Sequence, residues 1–168
     1  DKPTSELLYQ LGQDRDPLGR RWAMGELVKR GRLATATAEE KAAIVAGFRQ
    51  VIGGGDYWRL RTTAMAQLRA LLAPANPAEP LALDDSTRAT LEAVARRETS
   101  WVRAAALGCL GFTRDPRHAD LYLDAFREDS HQVCYAAAGA LGKSGSPRAF
   151  DALTALMAIP SWKGENRL

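Results

Sequence analysis

The chain has 168 residues, 46% hydrophobic and 26% charged, with two cysteines and a formal net charge of +3. That length supports one domain with a core of its own, and two cysteines are too few for a disulfide scaffold. No apolar run is long enough to span a bilayer, no signal peptide is visible, and the scattered Arg residues, mostly near acids, read as a solvated surface rather than a nucleic-acid face.

Ala, Leu and Arg dominate and isoleucine occurs three times, which favours helix because these side chains lose little rotamer freedom there. The punctuation divides the chain into helix pairs. A short helix over Ser5–Leu11 precedes a partner over Pro17–Lys29 that opens on Asp16-Pro17, a cap residue before a proline at the first helical position. Ala38–Val51, entered through a capping box of Thr37 and Glu40, pairs with Tyr57–Leu72. The triple glycine Gly53-Gly54-Gly55 between them follows a helix and lacks a GK[ST] sequence, so it reads as a turn and not a phosphate loop. The Pro-rich segment near 74–84 is expected to be an exposed loop. Ser86–Arg96 then pairs with Ser100–Leu110, and Pro116–Phe126 with His131–Leu141. Pro147–Met157 is the first helix of a fifth pair whose partner begins near Ser161. Gly12, Gly31, Gly111 and Gly142 stand where helices should stop.

The second helix of each pair repeats one phrase: Arg20-Ala23-Gly25-Leu27, Arg61-Ala64-Ala66-Leu68, Arg103-Ala106-Gly108-Leu110 and Cys134-Ala137-Gly139-Leu141, with Arg167-Leu168 opening a fifth copy. The starts lie 41, 42, 31 and 33 residues apart, the period of a helical solenoid. Ala and Leu four apart share a helix face, and stacked copies bury each other's apolar stripe. The small residue between them is expected to admit a neighbouring helix. An acid precedes most copies (Asp16, Asp56, Glu98, Asp129). It suits a helix N-terminus, and the Arg of one copy is within conceivable reach of the acid of the next, forming a ladder.

The candidate chemistry is thin. His118 and His131 lack a metal or nucleophile partner in sequence, and His118 is expected to be exposed. Asp84 and Asp85 read as helix-start residues, and Cys109 and Cys134 as unlinked thiols in offset columns. Trp22, Trp58, Trp101 and Trp162 are candidates for an interaction ridge, with burial over the end of the core as the favoured reading.

The stretches ELLYQLGQDRDPLGRRWAMGEL, SWVRAAALGCLG and PRAFDALTALMAIPSWKGENRL give the chain a resemblance to HEAT-like repeats. More closely, it resembles the C-terminal helical domain of some bacterial M1-family zinc aminopeptidases. That resemblance implies a domain packing on the catalytic part of the same chain and helping to enclose the substrate chamber. The family's zinc site needs HExxH and a distal Glu, and neither histidine here lies in such a motif, so no catalytic, metal or cofactor role transfers. Zinc is expected only in the absent catalytic domain.

The sequence therefore predicts one all-α domain, a right-handed α-α superhelix of antiparallel helix pairs with its inner surface on the second helices. It is expected to be a fragment of a longer chain, not an enzyme by itself, with the catalytic domain as its main partner and a peptide as a further one. A free-standing HEAT-repeat adaptor for proteins or peptides is the alternative, and a HEAT-like nucleic-acid binder is less favoured. No compartment is assigned.

Overall fold

The computed structural model describes residues 2–98, 100–126 and 130–157, with side chains through residue 155. Among these residues there are helices α1 (Thr4–Gln13), α2 (Pro17–Gly31), α3 (Ala38–Gly53), α4 (Trp58–Leu72), α5 (Asp85–Arg97), α6 (Ser100–Gly111), α7 (Ala119–Ala125), α8 (His131–Lys143) and α9 (Ala149–Met157), and no strand. A 3-10 turn over Pro116–His118 leads into α7, so the helix expected from Pro116 onward is tighter in its first turn. Trp162, Asp129 and the fifth copy at Arg167-Leu168 lie outside the described residues.

The helices stack as an all-α superhelix of pairs. α1 packs on α2, α3 on α4, α5 on α6 and α7 on α8, while α2, α4, α6 and α8 pack each on the next. The repeat phrase explains that second layer. Ala23, Ala64, Ala106 and Ala137, with Leu27, Leu68, Leu110 and Leu141, are wholly buried along it. Small and branched aliphatic side chains alternating along a stripe let parallel helices approach while still excluding water.

Capping follows local chemistry. Asp16 accepts from the Leu18 and Gly19 amides at 3.0 and 3.2 Å, and Asp84 from the Thr87 amide at 2.8 Å. Thr37 accepts from the Glu40 amide at 3.1 Å, but the box stays half made. The Glu40 carboxylate receives the Thr4 hydroxyl instead and so ties α3 to α1.

Gly31 and Gly111 end α2 and α6, and Gly12 and Gly142 stand one residue short of the ends of α1 and α8, as expected, but their means of doing so and the packing of the small residues differ from expectation. The only left-handed glycine among the described residues is Gly145 at φ 68°, so Gly12, Gly31, Gly111 and Gly142 do not end helices by that route. Gly31 and Gly111 are packing residues. A Cβ on Gly111 would stand 2.7 Å from the Ala140 Cα, and one on Gly31 2.4 Å from the Leu71 Cδ1. Conversely, the small residues inside the phrase do not admit a neighbour: a Cβ on Gly25, Gly108 or Gly139 would meet nothing within 4 Å. In α2 and α6 the close approaches lie about one to two turns farther along the helix.

The 74–84 loop is exposed at its tip but anchored at its end. Leu81 and Leu83 are buried, and the Leu81 amide donates to the Phe112 carbonyl at 2.8 Å. Arg114, in the left-handed region at φ 53°, donates to the carbonyls of Ala78 and Pro77 at 2.6 and 3.1 Å. The proline-rich composition signalled an irregular path but carried no sign of this clamp.

Candidate interaction site

The start of each second helix carries the polar part of the repeat. Arg20 donates through Nε to the Leu11 carbonyl at the end of α1 (2.6 Å) and through both terminal nitrogens to Asp56 (2.6 and 3.0 Å). Arg61 does the same one repeat on: Nε to the Ile52 carbonyl at 2.9 Å and Nη2 to Glu98 at 2.8 Å. Each guanidinium thus satisfies a carbonyl left open at a helix end and bridges to the next repeat. In the fourth copy Cys134 meets the Phe126 carbonyl through its thiol at 3.6 Å. Arg103 is half-buried in the same column. The first acid, Asp16, caps α2, whereas Asp56 and Glu98 are taken up by the Arg residues, and the start of α4 has no side-chain cap.

This bonding fixes the layer. The starts of α2 and α4, and of α4 and α6, are joined side by side, so the second helices run parallel. It also leaves their outer faces free. The favoured burial of the tryptophans is overturned: Trp22, Trp58 and Trp101 are 51%, 38% and 54% exposed, and Leu18, Tyr57 and Tyr135 are exposed as well. Trp58 and Trp101 stack across neighbouring repeats, with centroids 6.1 Å apart and planes 20° apart; Tyr57 tilts against Trp58, and the Arg59 guanidinium lies 5.1 Å from the Trp58 ring centroid. The core beneath is already filled by the Ala and Leu columns, so the rings are left to cover one another.

Charge follows the same layer. Across α2, α4, α6 and α8, Glu26 is the one acidic residue, against nine basic residues: four in α2, three in α4, and one each in α6 and α8. The linear sequence hid this pattern, because the acids near the Arg residues belong to first helices and turns. Folding takes up Arg20 and Arg61 in the ion pairs with Asp56 and Glu98, carries Arg69 and Lys143 to Phe112 at the opposite helix ends, and sets Arg59 against the aromatic cluster.

The remaining candidates divide. His118 is buried, not exposed: its Nε2 meets Glu92 at 2.9 Å, and its ring packs edge-on against Tyr122. Pro116 and Arg117 of the same turn stay exposed, and the His118 side chain alone turns inward to Glu92 of α5 and Tyr122 of α7, which reverses that expectation. His131 is exposed. Cys109 and Cys134 are not joined in a disulfide, and burial pushes Cys109 up to about 12, so it stays protonated. No cluster of His, Cys, Asp or Glu among the described residues would hold a metal ion. No helix among them is long and apolar enough to cross a membrane.

Stacked pairs, a buried Ala/Leu seam and a periodic Arg clamp place the fold among helical repeat architectures. Residues 87–164 match the family model for HEAT repeats. The match covers the later pairs; the earlier pairs carry the same buried Ala/Leu seam. No curated protein matches the chain in sequence.

Proposed function

We propose that this HEAT-like chain is a non-catalytic interaction domain that docks a macromolecular partner against the outer faces of its second helices. The exposed Trp58–Trp101 stack is the observation that carries this reading. Large rigid aromatics on a surface contribute most when a partner removes them from water, and they concentrate the binding energy of an interface into a few residues. The Arg59 guanidinium beside the Trp58 ring favours a partner surface with an acidic group next to an apolar centre.

In keeping with the sequence resemblance, the partner we favour is the catalytic part of an M1-like zinc aminopeptidase on the same parent chain, with this domain helping to wall its substrate chamber. A free-standing protein- or peptide-binding adaptor is supported by the same face to the same degree. The sequence encoded before Asp1 separates the two. An HExxH with a distal Glu there supports the first reading, and its absence overturns it in favour of the adaptor. Docking itself is tested by titrating the domain with the partner so identified, in wild-type form and as Trp58→Ala/Trp101→Ala. The double variant is expected to lose about tenfold or more in affinity, roughly 1.4 kcal/mol or more, with an unchanged thermal midpoint. Unchanged affinity overturns the proposed face. For the domain alone, zinc-dependent hydrolysis of a chromogenic aminoacyl substrate would overturn the non-catalytic reading.

A further inference from the structure

A cavity of about 400 Å³ opens where α4 meets the 74–84 loop and Phe112, the residue that follows α6. Its walls include Ala66 and Ala70 of α4, Pro77 and Leu81 of the loop, and Phe112. The lining also holds two charged residues of opposite sign, Arg69 and Glu79. The Arg69 guanidinium is laid over the Phe112 ring, with its Cζ 3.8 Å from the centroid. The loop side is held in place by the Leu81 amide on the Phe112 carbonyl and by Arg114 on the carbonyls of Pro77 and Ala78.

The cavity stands at the far end of the face that carries the Trp58–Trp101 stack. Trp58, Thr62, Ala66 and Ala70 follow one another four residues apart on α4 and so share one side of the helix. None of the four is buried. Trp58 meets Trp101 of α6 at one end of this row, and Ala66 and Ala70 share the cavity with Phe112 at the other. The two ends are about 18 Å apart along the helix axis. On α6, between Trp101 and Phe112, Gly108 presents no side chain, and a Cβ there would meet nothing within 4 Å.

A charged group entering the cavity would meet an acid and a base together, and neither sign would recover what it loses on leaving water. An uncharged apolar group gains by burial against walls on several sides. Concave apolar pockets beside exposed aromatic residues are where interfaces concentrate their affinity. We propose that the partner docked on the Trp58–Trp101 face lays a peptide segment along α4 and seats one bulky, uncharged, apolar side chain in this cavity. The inference rests on the docking reading and adds the chemistry of the partner, which must present two apolar groups about 18 Å apart.

Blocked amino acids serve as probes of the cavity by amide NMR titration of the isotopically labelled chain. N-acetyl-leucinamide is expected to shift the amides of Ala66, Ala70, Leu81 and Phe112 saturably, and to bind about tenfold or more tighter than N-acetyl-glycinamide. The anionic N-acetyl-isoglutamine and the cationic N-acetyl-lysinamide should bind no better than the glycine derivative. Ala66→Leu, which intrudes on the cavity, should abolish binding of the leucine derivative, and Ala93→Leu on α5, outside the cavity, should leave it unchanged. Far-UV circular dichroism and the thermal midpoint verify that both variants fold. A leucine derivative no tighter than the glycine one, a charged derivative as tight as the leucine one, or leucine binding that survives Ala66→Leu would each overturn the inference. If the Trp58→Ala/Trp101→Ala titration still lowers partner affinity in that event, the docking face stands without the cavity.

Discussion

The joint between α2 and α4 and the joint between α6 and α8 bury the same kind of seam but are fixed differently. At the first, where Arg20 reaches across to Asp56 and fastens the helix starts, Gly31 meets only movable side-chain ends, those of Leu71 and Ile44. At the second, Gly111 lies against the backbone of Ala140. One seam closes at its far end on side chains that can turn aside, the other on backbone that cannot. The comparison teaches that a repeated phrase specifies the shared requirement, an apolar seam, and leaves each joint free to lock in its own way.

The comparison is broken most severely at Gly111. Gly111→Ala forces a methyl against the Ala140 backbone and is expected to cost roughly 3 kcal/mol in urea denaturation. Gly31→Ala should cost about 1 kcal/mol or less, because Leu71 can turn aside. Equal costs at the two glycines would erase the distinction. Arg61→Ala is next, at roughly 2 kcal/mol, since it leaves the Ile52 carbonyl and Glu98 without their donor. Arg20→Ala should cost roughly 1 kcal/mol, its side chain being 13% exposed against 7% for Arg61. Cys134→Ala is expected to cost less than about 1 kcal/mol, since the contact of its thiol with the Phe126 carbonyl is weak.

The smallest effect is one of pH. Asp115 caps the turn between α6 and α7, and its hydrogen bonds to Arg117 hold its carboxyl down to about 2. A carboxyl held lower when folded than when unfolded stabilises above its unfolded pKa and loses that contribution as the pH falls toward the folded one. The stability of the wild type should therefore decline between about pH 4 and pH 2. The fall should be shallower in Asp115→Asn, as read from urea midpoints at each pH.

Much of the fold was legible because its signals are local. Helix ends followed from Asp16-Pro17, Thr37 and Asp84, where a short side chain reaches a nearby amide, and the seam followed from the spacing of Ala and Leu. The meaning of the glycines was not legible, because spacing alone does not say which side of a helix meets a neighbour. Gly108 faces open space while Gly111, three residues on, faces Ala140. The tryptophans were misread because burial was inferred from size, and the core had no room left for them. The Phe112 cluster has a faint signal: Arg69, Phe112 and Lys143 each stand eight or nine residues past the repeat column. That coincidence gains meaning only when the helices are known to run parallel.

By itself, the sequence determined the helical class, the pairing of helices and the buried Ala/Leu stripe, because each rests on contacts within a few turns of one chain segment. Tertiary structure decided which Arg meets which acid, which rings remain in water and where three helix ends meet. Those are contacts between residues some thirty to forty positions apart, and their geometry depends on how one repeat is set against the next.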